Sequence, residues 1–212
     1  PLHSSAASDV YKRQINNGAK GGENAINFLK SVRDMLAGNT GGAVNMTVKW
    51  DGAPAIICGI NPENGKFFVG TKSVFNKTPK INYNISDIRK NHGTGGAGAK
   101  LIYCFNYLKR LPIKGILQGD LLFTDDKTIV KIDGEPHISF TPNTITYAVP
   151  VDSGIGRQIA RAKMGIVFHT SYTGKNMSSL SAGFGTVRGS GGTSIFLASA
   201  QYIDKSGSVM FN

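Results

Sequence analysis

Short apolar runs separated by turn-forming residues dominate this chain, and they predict more strands than helices. Apolar residues recur at helical spacing in residues 23–37 and 100–111, and weaker patterns predict helices at 85–91 and 154–163. The runs that predict strands are residues 43–50, 55–60, 66–71, 115–124, 129–132, 137–140, 144–151 and 165–169. Many strands with a few inserted helices favour an α+β fold that consists mainly of antiparallel sheets.

Residues 93–98 form a glycine-rich stretch directly before Ala99 and Lys100. Its spacing differs from the phosphate-binding pattern G-x-x-x-x-G-K-[ST], because Ala99 separates the last glycine from the lysine. No apolar strand precedes it either. We therefore predict a flexible loop here.

The length of 212 residues corresponds to one domain that can bury a core. Residues 1–14 show no periodicity, and we expect them to be a non-native or disordered leader. A single domain is then expected over residues 15–212, for which truncation at the C-terminus remains open. No apolar run approaches the length of a membrane span, so we expect no membrane partner. Cys58 and Cys104 stand far apart in apolar surroundings and are predicted to be buried thiols, which fits a location in the cytoplasm.

The formal net charge of +11 is high for a chain of this size. It favours a polyanionic partner such as nucleic acid or the phosphates of a nucleotide. A merely basic protein would carry the same charge, so both interpretations stay open. The basic residues are spread along the chain rather than collected in a tail.

The stretch Lys49-Trp50-Asp51-Gly52 follows one apolar run and precedes another. Its pattern, K-x-D-G, is one in which some enzymes present a lysine amine to a nucleotide phosphate. The alternative is that Asp51-Gly52 is a hairpin turn, which is the commonest use of that dipeptide.

Two further motifs follow in order along the chain. Gly70-Thr71-Lys72-Ser73 ends a predicted strand, either as a phosphate contact or as an ordinary polar turn. Gly119-Asp120 interrupts the apolar run of residues 116–123. Asp120 is a hard oxygen ligand in one interpretation, and in the other Gly119 is a bulge with Asp120 facing solvent.

Two strands in the second half of the chain complete the pattern. Tyr147 lies in the predicted strand 144–151, where it is either a base-stacking ring or a core residue. Met164 opens the stretch Met164-Gly165-Ile166-Val167, with Lys163 before it and His169 shortly after.

These motifs, in this order, resemble the covalent nucleotidyltransferases, which include ATP-dependent DNA ligases, RNA ligases and capping enzymes. The resemblance covers Lys49 to about Tyr172. It implies a ligase-type, ATP-grasp-like domain of antiparallel sheets with flanking helices. It also implies ATP and Mg²⁺ as cofactors, and RNA or nicked DNA as the partner. A compact chain without clear room for a second domain slightly favours RNA ligase.

The resemblance also implies roles for the residues that match. Lys49 would be the catalytic nucleophile that attacks the α-phosphate of ATP and forms a lysyl-adenylate. Asp51 and Gly52 would belong to the nucleotide site, with Asp51 orienting it.

The other matching residues would contact the rest of the nucleotide. Lys72 would contact a phosphate, Asp120 would contact the ribose or the metal ion, and Tyr147 would cover the base.

Three features depart from the family pattern. Ala53-Pro54-Ala55 stands where the family often has an arginine, Met164 stands where it places a glutamate, and the final K-x-K is absent. Either His169 or Lys163 compensates for the lost acid, or the chain has lost catalysis. In that alternative the chain is an inactive, basic nucleotide- or nucleic-acid-binding or structural protein. Parts of the chain also look like uncharacterised proteins of marine tailed phages, which would place it in the host cytoplasm.

Overall fold

The computed structural model describes residues 18–37, 48–187 and 191–200. The chain divides into two compact units, one of residues 1–49 with 201–212 and one of residues 50–200. In the first unit, helix α1 (Gly18–Leu36) confirms the predicted helix and begins five residues earlier than expected. Residues 43–47 of the first predicted strand lie outside the described residues, and Val48, Lys49 and Trp50 are not in a strand.

The second unit contains most of the predicted elements. Its helices are α2 (Ile85–His92), α3 (Gly96–Leu108) and α4 (Gly154–Arg161), with short 3₁₀ helices at Lys72–Phe75 and Met177–Ser179. Its strands are β1 (Ala55–Ile60), β2 (Phe67–Gly70), β3 (Ile116–Phe123), β4 (Thr128–Ile132), β5 (Glu135–Phe140), β6 (Tyr147–Pro150), β7 (Met164–Thr173), β8 (Ser181–Phe184) and β9 (Ile195–Ala198).

The described strands of this unit form two sheets. The larger sheet has the order β2-β1-β3-β7-β8, and β9 pairs with β7 beside β8. The smaller sheet has the order β4-β5-β6. The β7–β9 pair is parallel, whereas the other strand pairs are antiparallel. The prediction of an α+β fold with mainly antiparallel sheets is therefore confirmed. No helix among the described residues combines the length and the apolar character that crossing a membrane requires.

The prediction of a flexible loop at residues 93–98 is wrong in its second half, because α3 begins at Gly96. A side chain at Gly98 would collide with the carbonyl oxygen of Gly93, so this glycine allows the close turn between α2 and α3. Gly98, one of the glycines that suggested a loop, therefore serves the packing of α2 against α3.

Helices α2 and α3 cover one face of the large sheet. The buried residues on this side include Ile56, Cys58, Ile88, Leu101, Cys104, Leu117, Leu121, Met164, Ile166 and Phe168. Burying each large apolar side chain stabilises the fold by about 1.5–3 kcal/mol. Both cysteines are free and fully buried, as predicted. Burial raises the pKa of the Cys58 thiol, and it raises the pKa of Cys104 to about 12.

The opposite face of the large sheet carries two separate apolar clusters. One is formed by Ile57, Phe68, Val74 and Ile116. The other joins the large sheet to the small sheet and α4, and it includes Leu122, Phe123, Ile138, Phe140, Ile159 and Val167. The sheet surface between the two clusters is where polar residues collect.

The end of α2 is held by a hydrogen-bonded network around Asn82, which is fully buried. The Asn82 side-chain amide nitrogen donates to the carbonyl oxygen of Val69 at 2.8 Å and lies 3.3 Å from His92 Nε2. Its side-chain oxygen accepts from Asn91 Nδ2 at 2.9 Å. Because the Asn82 nitrogen can only donate, His92 Nε2 must accept and His92 is neutral.

We expect the free energy of unfolding to fall as the pH is lowered through about 6.5. Burial, together with the nearby Lys80, lowers the pKa of His92 below its ordinary value of 6.5. The unfolded chain therefore binds this proton before the folded protein does, which favours unfolding in that window. The measurement is urea unfolding between pH 7.5 and 5, in which His92→Gln should lose this component. His137→Gln, in which the His92 contact is intact, is the control. Equal pH dependence in wild type and His92→Gln would contradict the assignment.

Candidate functional site

A polar strip crosses the large sheet between the two apolar clusters. The β3 side chains that point away from α2 and α3 are, in order, Ile116, Gln118, Asp120 and Leu122. Ile116 and Leu122 are buried in the two clusters, whereas Gln118 and Asp120 are partly exposed. On β7 the half-buried residues His169, Thr170 and Tyr172 lie beside them. We define these five polar residues as the polar strip.

A β-bulge in β7 brings His169 close to Asp120, whose partner in the β3–β7 register is Val167. Gly119 pairs with Phe168 and Gln118 pairs with Thr170, so His169 is the extra residue. Its Nε2 lies 3.6 Å from Asp120 Oδ2, and its Nδ1 lies 2.8 Å from Thr170 Oγ1. The Asp120 side chain is only 17% exposed. The extra residue is therefore in β7 rather than at Gly119, and Asp120 does not face open solvent.

Tyr172 and Gln118, in the other half of the polar strip, are joined by a hydrogen bond. The Tyr172 hydroxyl donates to Gln118 Oε1 at 2.6 Å, and burial raises the pKa of this hydroxyl. The Tyr172 ring centroid lies 5.1 Å from that of Phe75, which ends the 3₁₀ helix Lys72–Phe75. Neither Gln118 nor Tyr172 was predicted from the sequence to be a site residue. The signal in the sequence was Gln118, a polar residue two positions before Asp120 in the apolar run of residues 116–123.

The K-x-D-G segment enters this sheet beside β3 and is not a hairpin turn. Both edges of β1 are paired, one with β2 and the other with β3, so a preceding strand could not pair with β1. The Ala53 backbone N–H donates to the carbonyl oxygen of Leu121 at 3.0 Å, which extends the pairing with β3 toward Gly52. The ideal Cβ of an alanine at Gly52 would lie 2.5 Å from Asp120 Cβ. The two strongest sequence motifs therefore meet at Gly52 and Asp120.

Asp51 holds the loop that precedes β6. Its Oδ2 accepts from the backbone N–H groups of Thr144 and Ile145, each at 2.7 Å. Its Oδ1 accepts from Asn143 Nδ2 at 2.9 Å. Adjacent backbone donors of this kind favour a negative charge. The Asp51 carboxylate therefore fixes the position of this loop relative to Gly52.

The loop contact leads to a modest stability prediction for Asp51→Ala. We expect the free energy of unfolding to fall by about 1 kcal/mol, because water reaches the freed N–H groups of this exposed loop. Trp50 is the only tryptophan and directly precedes Asp51, so urea unfolding followed by its emission is a suitable measurement. Asp126→Ala, which removes a carboxylate that accepts from Thr124 N at 2.8 Å, is the control for tryptophan emission. If Asp51→Ala leaves both stability and emission unchanged, the loop contact has no energetic role.

Tyr147 lies next to Asp51 and belongs to an aromatic cluster. Its hydroxyl accepts from the Asp51 backbone N–H at 2.8 Å. Its ring centroid lies 5.5 Å from that of Phe140 and 5.2 Å from that of Trp50. The Trp50 indole N–H donates to the carbonyl oxygen of Ser199 at 3.0 Å. Tyr147 is thus close to the K-x-D-G segment, and its role as cover for a base stays a prediction.

The two candidate lysines are both exposed. Lys49 belongs to the first unit and lies outside any helix or strand. Lys72 begins the 3₁₀ helix Lys72–Phe75, whose Val74 packs into the cluster around Ile57 and Ile116. Lys72 is therefore on an element that covers the same sheet face as Asp120.

Met164, where the resemblance to nucleotidyltransferases implies a glutamate, is fully buried on the helix-covered side of the sheet with Ile166 and Phe168. His169 rather than Met164 lies near Asp120. Lys163 is exposed, and its backbone N–H donates to the carbonyl oxygen of Ser194 at 2.8 Å.

Within the described ranges, no group of three or more His, Cys, Asp or Glu side chains is arranged to hold a metal ion. Asp120 supplies one carboxylate with a histidine beside it. Proteins commonly hold Mg²⁺ with one or two carboxylates together with phosphate oxygens of a substrate. Asp120 fits that arrangement when a nucleotide supplies the remaining oxygens.

The fold and the site define an α+β protein with a polar strip between two apolar clusters. A family model matches residues 12–212, and its family is DUF6267, described as a family of unknown function. The chain belongs to this family. No curated protein and no solved structure matches the chain.

Proposed function

We propose that the protein is an ATP-dependent nucleotidyltransferase of the polynucleotide ligase type. Its nucleotide site would be the polar strip together with Asp51 and Gly52 of the K-x-D-G motif. The observation that supports this proposal best is the packing of Gly52 against Asp120, because it joins two motifs that are far apart in sequence. The α+β fold with mainly antiparallel sheets is compatible with a ligase-type domain.

In the proposed reaction Lys49 attacks the α-phosphorus of ATP. A nitrogen–phosphorus bond forms, the bond to the leaving pyrophosphate breaks, and the amine proton passes to solvent. A nucleic-acid 5′-phosphate oxygen then attacks the same phosphorus and releases the Lys49 amine. The role of Lys49 rests on its place in the K-x-D-G motif.

The remaining residues bind and orient the nucleotide. Lys72 contacts a phosphate, and Asp120, with His169 beside it, contacts the ribose or Mg²⁺. When bound, Mg²⁺ supplies charge neutralisation at the phosphates. Asp51 orients the loop before Tyr147, and Tyr147 covers the base.

The test is incubation of the wild-type protein with ATP labelled at the α-phosphate in the presence of Mg²⁺. We expect a protein-bound label that is stable in alkali and is lost in acid, as a phosphoramidate is. ATP labelled at the γ-phosphate should leave no label on the protein. The absence of a label from the α-position would refute the proposed chemistry.

A second candidate is a basic nucleotide- or nucleic-acid-binding or structural protein without catalysis. Two observations favour it. Met164 is a core residue, and the Asp51 carboxylate is already bound to the loop at residues 143–145. This candidate predicts salt-dependent nucleic-acid binding with no covalent label.

A further inference from the structure

A basic surface lies between residues 72 and 92. Five basic residues of this segment are exposed, namely Lys72, Lys77, Lys80, Arg89 and Lys90. The one acidic residue of the segment, Asp87, is half-buried, and its Oδ2 accepts from the backbone N–H of Tyr83 at 2.9 Å. Positive charge is therefore concentrated here without a matching number of exposed carboxylates.

Lys80 joins the two ends of the segment into one surface. Its backbone N–H donates to the carbonyl oxygen of Ser73 in the 3₁₀ helix at 3.1 Å. Its ammonium donates to the carbonyl oxygen of Asn91 in α2 at 3.2 Å. Cations at the end of a helix are stabilised by the helix dipole, which accounts for Arg89 and Lys90. It does not account for Lys72 and Lys77, which flank Phe75 before that helix begins.

Phe75 is an exposed aromatic side chain within this basic surface. It is 41% exposed, and its ring contacts Tyr172 of the polar strip. An exposed aromatic ring among cations is the combination that binds single strands, since bases stack on the ring while cations contact phosphates. We propose that residues 72–92 bind single-stranded nucleic acid, with Phe75 stacking on a base.

The basic surface lies next to the polar strip. Phe75 contacts Tyr172, and Tyr172 donates to Gln118, so the basic surface adjoins one end of the polar strip. A single strand of nucleic acid that is bound to this surface would therefore approach the proposed nucleotide site. The role of this strand as acceptor rests on the proposed function, whereas its binding does not.

The experiment measures binding of a fluorescent 12-nucleotide single strand by anisotropy, as RNA and as DNA, across a salt series. The test variant combines Lys77→Gln, Arg89→Gln and Lys90→Gln. Lys72 is not substituted because it is the proposed phosphate contact, and Lys80 is not substituted because its ammonium donates to the carbonyl oxygen of Asn91. The control combines Lys66→Gln, Lys114→Gln and Lys131→Gln, which removes the same charge from exposed residues outside the segment.

We expect the test variant to bind about tenfold more weakly at 0.1 M salt, with the slope of log K against log salt reduced by about 2. The control should keep most of the affinity. Phe75→Ala should weaken binding by about tenfold, Phe75→Tyr should restore it, and Phe184→Ala, at another exposed phenylalanine, should have no such effect. Thermal melting of each variant shows that the fold is intact.

Equal losses in the two triple variants would overturn the proposal. It would also be overturned if duplex DNA bound as well as the single strand, or if polyglutamate competed as well as the oligonucleotide. The covalent label from α-labelled ATP distinguishes this inference from the proposed function. If the wild type takes no label but binds the single strand as predicted, only the proposed catalysis fails. If the test variant is labelled normally but binds the single strand as well as the control does, only this inference fails.

Discussion

Replacement of Lys49 by alanine is expected to reduce the covalent label from α-labelled ATP to background. The lysine amine is the atom that forms the bond to phosphorus, and alanine offers no nucleophile in its place. Lys49→Arg should also be unlabelled, although it keeps the positive charge. Lys66→Ala, at another exposed lysine, should be labelled like the wild type.

The same variants should still bind ATP, because the polar strip belongs to β3 and β7. Calorimetric titration with ATP and Mg²⁺ should therefore give similar dissociation constants for wild type and Lys49→Ala. A label that survives in Lys49→Ala would show that another residue is the nucleophile. Loss of both the label and ATP binding would show instead that Lys49 contributes to ATP binding. The prediction that Lys49 is needed only for the covalent step would then be wrong.

Replacement of Gly52 by alanine is expected to lower the free energy of unfolding by about 1–3 kcal/mol and to impair labelling. The added Cβ would lie 2.5 Å from Asp120 Cβ and 2.9 Å from the carbonyl oxygen of Leu121. Neither atom is at the flexible end of a side chain, so the K-x-D-G segment must move away from β3. That movement separates the motif from Asp120.

Gly154→Ala is the matched control, because no atom lies within 4 Å of its ideal Cβ. It should cost little stability, since Gly154 is the first residue of α4. Urea unfolding gives the stability, and the label from α-labelled ATP gives the activity. A Gly52→Ala variant as stable and as well labelled as the control would mean that this contact is unimportant.

Much of the secondary structure was predictable because the apolar pattern and the turn residues agree. The strand β1 has the predicted bounds, and the paired strands β4 and β5 contain the runs predicted at residues 129–132 and 137–140. The secondary-structure predictions were wrong where the local preference of the residues conflicted with a tertiary contact. Residues 93–98 were expected to be a loop, but α3 begins at Gly96, and Gly98 lies against the carbonyl oxygen of Gly93.

The candidate site was only partly predictable. Asp120 and Tyr147 were chosen by their order along the chain, and the structure brings Asp120 to Gly52 and Tyr147 to Asp51. The pairing of Asp120 with His169 was not predictable. It depends on a one-residue bulge in the β3–β7 register, and period-two alternation does not reveal a bulge.

The sequence by itself determined which segments are apolar, where the chain turns and which charged residues interrupt the strands, because these depend on neighbouring residues. Only the tertiary structure decided which strands are neighbours and which face each polar residue occupies. Met164 became a core residue, and Gln118 and Tyr172 became part of a polar strip, because strand register sets the side of the sheet on which each residue lies.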